Sequence, residues 1–256
     1  MDPTPFFVIG AILAAIGLII VVTNLKNMRR RRRILDTPTS KVAQAAGAGP
    51  VEIFGNVQPS EQGLFAAPFS GRPAVWARVI VQEHRGSGKN SRWVTIVSEV
   101  AERVFLVDDG SGQAARIFPQ GAQVLLQAQK VASSGTFKDA PPQLEAFLAQ
   151  RGIASTGFFG FNKSLRYEEA LLCPDDPLYA LGPSYREGGP GAGPFREGPP
   201  GQLVLRAGAT EREELILTNK TEAQLTSSLF WPFMVGAVLA GMGGVSLVIG
   251  VAATLL

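Results

Sequence analysis

The hydrophobic positions of the chain obey three different patterns. From Phe6 to Leu25, "FFVIGAILAAIGLIIVVTNL", twenty residues pass without a charge. At about 1.5 Å per residue they match the roughly 30 Å hydrocarbon core of a bilayer, which predicts a transmembrane helix over 6–25. A second uncharged run occupies 229–256 and predicts another span, long enough to cross with some tilt. The first run does not read as a cleaved signal peptide, because "MDPTP" places an acid and no base ahead of it.

Between the runs the period falls to two. "VEIFGNV" (51–57), "AVWARVIVQE" (74–83), "RWVTIVSEV" (92–100), "RVFLVDD" (103–109), "AARIF" (114–118) and "AQVLLQAQKV" (122–131) read as strands, as do "LYALG" (178–182), "QLVLRAG" (202–208) and "ELILTNK" (214–220). "HRGSGKNS" and "DDGSGQ" supply the turn chemistry of two hairpins.

Helical spacing interrupts the strands. "APPQLEAFLAQRG" sets Leu144, Phe147 and Leu148 at i, i+3 and i+4 and stops at Gly152. "DTPTSKVAQAAG" predicts a short helix with Thr37 as N-cap, Pro38 in its first position and Gly47 at its end. "TEAQ", Thr221 to Gln224, fits a capping box leading into the second span. The glycine- and proline-dense stretch 182–201 carries an imperfect duplication, "YREGGPG" and "FREGPPG", and predicts a mobile loop. The expected fold class is membrane α plus a β-rich soluble domain. Two transmembrane helices, 6–25 and 229–256, flank one antiparallel β-rich α+β domain over 34–228.

Charge sharpens this picture. Of the 24 bases, six fall in a basic juxtamembrane segment, 26–33: Lys26, Arg29, Arg30, Arg31, Arg32 and Arg33. Outside that segment and the N-terminal tail, eighteen bases face twenty acids, so the domain itself is slightly acidic. A nucleic-acid binder spreads its bases over a face with interleaved aromatics, and that class is set aside. Bases beside a span stay on the cytoplasmic side and attract anionic lipid headgroups. The expected location is therefore an integral membrane protein of a bacterial inner membrane, with a cytoplasmic domain and both termini outside. Gly10, Ala14 and Gly17 on the first span, and Gly236, Ala240 and Gly244 on the second, form small-residue stripes. Such stripes let helices approach closely, either within the chain or between protomers of a homo-oligomer.

Candidate chemistry is sparse. "GSGKN" at 86–90 lacks the first glycine and the Ser or Thr of a phosphate loop, and it precedes a strand. "DDGSGQ" lacks the ligand spacing of a calcium loop. His84 is the only histidine and Cys173 the only cysteine, too few for a zinc site, and no nucleophile elbow accompanies His84. The paired acids Asp108–Asp109 and Asp175–Asp176 lie in predicted turns. No cofactor is expected.

The ordered set "LDTPTSKVAQAAGAGPVEIFGNV", "PFSGRPAVWARVIVQE", "FLVDDGSGQAARIFPQGA", "RYEEALLCPDDPLYALG" and "LILTNKTEAQLTSSLF", placed between two spans, resembles the GIDE domain. That domain, also called BAM (beside a membrane), belongs to the MULAN-type ubiquitin ligases and their prokaryotic relatives. Those ligases carry a zinc-binding RING after the second span, and this sequence holds no ligand set for one. The resemblance therefore implies a RING-less, membrane-anchored interaction or sensing module with an unidentified protein partner. Two alternatives stand beside it. One is a membrane-tethered hydrolase or transferase using carboxylates of the β domain. The other is ligase-related activity in complex with a separate catalytic partner.

Overall fold

The computed structural model describes residues 4–86, 88–157, 161–188, 201–210, 213–220 and 222–255. These fall into two compact units, one formed by Met1–Pro38 with Lys220–Leu256 and the other by Thr39–Asn219.

The first unit is helical. Helix α1 (Thr4–Thr23) runs into α2 (Leu25–Asp36) through Asn24, whose side chain donates to the Ile20 carbonyl at 2.9 Å. The arginine run is thus helical, and α2 stops where Pro38 disfavours helical backbone at the preceding residue. Thr37 takes φ −107° and ψ 110°, and its hydroxyl donates to the Arg33 carbonyl at 2.8 Å. This corrects the expected helix over 37–47. Thr37 caps the end of a helix instead of starting one, and beyond it Thr39 bridges Glu52 before a turn at Lys41–Ala45. The capping residue proposed at Thr221 lies outside the described residues; the last helix is described from Glu222 to Leu255 and contains Pro232.

The second unit is β-rich. Its strands are β1 (Ala48–Pro59), β2 (Phe65–Ala66), β3 (Pro73–Ala74), β4 (Trp76–Arg85), β5 (Arg92–Glu102), β6 (Phe105–Asp108), β7 (Ala114–Phe118), β8 (Gln123–Val124) and β9 (Gln129–Ser134). Helix α3 (Pro142–Ala149) follows, then β10 (Leu165–Leu172), β11 (Pro177–Glu187), β12 (Gln202–Arg206) and β13 (Ile216–Thr218); Glu222–Leu255 is α4. Strands β1, β6, β7, β12 and β11 close into a small five-stranded barrel, because β11 pairs back onto β1. The barrel is mixed and not antiparallel as expected, since β12 runs parallel to β7; outside the barrel β13 runs parallel to β8. Alternation along a strand identifies its inner face but carries no sign of its partner's direction.

Inward residues fill the barrel, among them Ile53, Val57, Phe105, Val107, Ile117, Leu178, Leu203 and Leu205. Gly55 sits where β1 leaves β11 for β6. A Cβ there would overlap the Asp108 backbone, lying 2.7 Å from its carbonyl carbon, so only glycine lets β1 and β6 meet at this corner.

A second sheet, β5-β4-β10-β9, is inserted between barrel strands. Leu144, Phe147 and Leu148 of α3 pack with Val79, Val81, Leu165 and Tyr167, and Phe69 meets both the Phe147 and Tyr167 rings edge-on. The central strand β10 was not anticipated, because "LRYEEALL" shows no clean alternation. The reason is visible in its packing. Leu165 and Tyr167 serve the second core, whereas Ala170 and Leu172 serve the barrel. The single strand expected at 122–131 likewise divides: Val124 and Leu126 join the barrel core, and β9 joins the other sheet.

Candidate functional site: a helical hairpin with a basic extension

Among the described residues α1 and α4 alone have the length and hydropathy to cross a membrane, with candidate spans Thr4–Thr23 and Thr226–Thr254. They pack antiparallel: Gly10 meets Gly243 and Leu247, whereas Gly17 meets Gly236 and Ala240. The contact is backbone on backbone. A Cβ on Gly17 would overlap the Ala240 amide nitrogen and lie 2.7 Å from the Gly236 oxygen; one on Gly243 would overlap the Ala14 nitrogen. Ser246 adds a hydrogen bond, its hydroxyl donating to the Phe6 carbonyl at 2.9 Å.

Gly10, Ala14, Gly17, Gly236 and Ala240 therefore lie in the seam between the two helices of one chain. Gly244 does not, since a Cβ there meets nothing within 4 Å. Its place is taken by Gly243. Four residues advance a helix by about 400°, so a strict fourfold spacing drifts roughly 40° per step away from its partner. Alternating steps of four and three hold the seam, as in 10-14-17 and 236-240-243.

The basic extension is not uniform. Lys26, Arg29 and Arg32 are exposed, while Arg30, Arg31 and Arg33 are half-buried. Arg31 places its guanidinium 4.7 Å from the centre of the Phe230 ring, so this arginine ties α2 to α4 through a cation–π contact. A run of five identical residues gave no hint that one of them packs against a ring.

In the β-rich unit the remaining sequence candidates serve local structure. Of "GSGKN", Gly86 and Gly88–Asn90 are described and lie in the β4–β5 hairpin, and His84 leans on Trp93 with ring centres 5.0 Å apart. Asp109 Oδ2 accepts from the Val42 N–H at 2.9 Å and Oδ1 from the Ser111 N–H at 3.0 Å. Burial by itself raises this carboxyl, but hydrogen bonds from Ser111 and Val42 and the charge of Lys41 outweigh it, leaving the group below the usual carboxylate range. The stability it contributes is present above its unfolded pKa and lost as pH falls through the lowered folded value. Asp108 accepts from the Gly110 N–H, Asp175 from Gln58, and Asp176 from the Cys173 N–H. Among the described residues no group of three or more His, Cys, Asp or Glu is placed to hold a metal.

Cys173 is buried, and that burial pushes its thiol up. A disulfide reagent at pH 8 is expected to leave the native protein unlabelled over minutes and to modify one thiol after denaturation. Fast native labelling would show that the β10–β11 turn opens.

The stretch expected to be a mobile loop, 182–201, is partly a strand: Gly182–Glu187 complete β11, and 189–200 lie outside the described residues. Arg186, inside that stretch, donates to the Ala45 carbonyl through Nε at 3.1 Å and Nη2 at 2.8 Å, to Val42 O at 2.9 Å and to Gly201 O at 2.7 Å. Composition hid this residue, because glycine and proline dominate its neighbours.

No protein-family model, curated protein or solved structure matches this chain.

Proposed function

We propose that the chain is a membrane-anchored, non-catalytic binding module whose β-rich unit is held at the cytoplasmic surface by two transmembrane helices. The carrying observation is the surface of the helical hairpin. Only 11% and 17% of the two apolar windows are buried, and side chains such as Val8, Ile9, Leu18, Val245 and Val248 are largely exposed. An apolar exterior of this extent is unfavourable in water by about 25 cal/mol per Å² and has its natural solvent in lipid.

Orientation follows from the bases at the end of α1. Lys26, Arg29 and Arg32 are exposed and act in this reading as a retention signal, a base near an anionic leaflet contributing about 1 kcal/mol. The binding role draws on the sequence resemblance to the GIDE domain and on the barrel's connectivity. Taken in order of appearance, its strands run 1-2-3-5-4 around the barrel, with the third and fifth parallel. This is the order of an OB-type barrel, an architecture used for recognition in many settings. Fold alone does not choose the partner.

The test is topological. Phe137, 95% exposed at a turn, becomes the label site in a Cys173→Ser, Phe137→Cys protein. An impermeant maleimide should leave intact cells unlabelled and react once the membrane is opened. Labelling of intact cells would put the unit outside, and recovery of the protein in the soluble fraction would remove the membrane reading altogether.

A further inference from the structure

The β-rich unit carries a cleft of about 340 Å³ at the seam between its two larger sheets, within the size range of small-ligand sites. Several separate segments converge on it. Arg72 comes from the β2–β3 turn, Gln127 from the β8–β9 connection, Gln129 and Lys130 from β9, and Asn219 from just beyond β13. The side chains of these five residues make no hydrogen bond or ion pair with any described residue. Each of them can donate.

The acids of the cleft are already engaged. Glu169, 3% exposed, accepts from the Phe69 N–H at 2.8 Å and the Ser70 N–H at 3.2 Å, and Asp176 accepts from the Cys173 N–H at 2.8 Å. Glu169 thereby fixes the turn that carries Arg72, and the Ala67 N–H closes it by donating to the Arg72 carbonyl at 2.8 Å. The two carboxylates keep their charge but are turned to backbone N–H groups, so the charged side chains of the cleft left without a hydrogen-bond or ion-pair partner among the described residues are Arg72 and Lys130, and Arg72 is mounted on a braced turn beside three unengaged amides.

We infer that this cleft binds a small phosphate monoester, with Arg72 and Lys130 meeting its two negative charges and Gln127, Gln129 and Asn219 donating to its remaining oxygens. A planar guanidinium and a mobile ammonium together suit a dianion with several acceptor oxygens. Such a group occurs on soluble metabolites and as the headgroup of phosphatidic acid.

Calorimetric titration of the full chain, held in neutral phosphatidylcholine nanodiscs, with glycerol 3-phosphate separates the outcomes. Saturable binding is expected, weakened about tenfold or more in Arg72→Gln/Lys130→Gln, since each change removes a charge-assisted contact. Gln129→Glu, a repulsive change on an exposed position, should weaken it independently. Binding that persists unchanged in these variants, that disappears only when Arg29 and Arg32 are neutralised, or that is absent from the wild type overturns the assignment. If phosphatidic acid in the disc suppresses the titration through the same residues, the headgroup is the ligand. If it does not, the soluble ester is.

Discussion

Replacing Gly17 by leucine is expected to drive α1 and α4 apart. The Cβ alone would overlap the Ala240 backbone and stand 2.7 Å from the Gly236 oxygen, and neither group can rotate away as a side chain would. The helices must separate or slide, at about 1–3 kcal/mol or more for overpacking, with loss of the close contacts that replace hydrophobic driving force in lipid. Spin labels at Val8→Cys and Val248→Cys, both exposed positions, would read the change in a Cys173→Ser background. Gly17→Leu should broaden and lengthen the distance distribution in detergent micelles, whereas Gly244→Leu, with nothing within 4 Å, should leave it unchanged. An effect of Gly244→Leu alone would place the seam on the other face of α4.

Truncating Arg186 to alanine should be the most damaging single change in the β-rich unit. Its guanidinium holds the carbonyls of Val42, Ala45 and Gly201, and Nη1 also donates to Gln113 at 3.2 Å. Those acceptors belong to the turn before β1, the turn before β7 and the residue before β12, so one side chain fastens three segments at one end of the barrel. Hydrogen bonds from a charged group contribute about 1.5–3 kcal/mol each, though not additively, so a total loss of about 3–5 kcal/mol is expected. For a unit of this size that lowers the melting temperature by roughly 6–20 °C. Arg186→Lys keeps the charge but cannot span the same carbonyls and should recover only part of the loss. Full stability of Arg186→Ala would mean that the turn at Lys41–Ala45 is held by Asp109 alone.

Both residues show where sequence reading succeeds and where it stops. The first-span stripe Gly10-Ala14-Gly17 was legible because small residues on one helix face are a local pattern. The matching stripe was misplaced by one residue, at Gly244 instead of Gly243. Glycine stands at both positions, and only the partner helix distinguishes them. Arg186 was invisible for a different reason. Its partners lie 15 to 144 residues away along the chain, and its own surroundings read as a linker. Glu169 is similar: an acid in "YEE" gives no sign that it is buried and accepts backbone N–H groups a hundred residues upstream.

Local pattern suffices for the two long apolar helices, the β-rich character between them, the α3 helix and both Gly-rich hairpins. Each of these rests on one contiguous stretch, the helices on uncharged run length and the others on periodicity or turn chemistry, which side-chain spacing and backbone preference dictate directly. Tertiary structure alone decided that β1 closes on β11, that β12 runs parallel to β7, and that β10 divides its side chains between two cores. It also decided that Arg31 lies over Phe230 and that Arg72 and Lys130 share a cleft. Contacts between distant segments are chosen by competition among all possible pairings, and the winner buries the most apolar surface with the fewest unpaired polar groups. That choice is made by the whole chain, and no short stretch of it carries the answer.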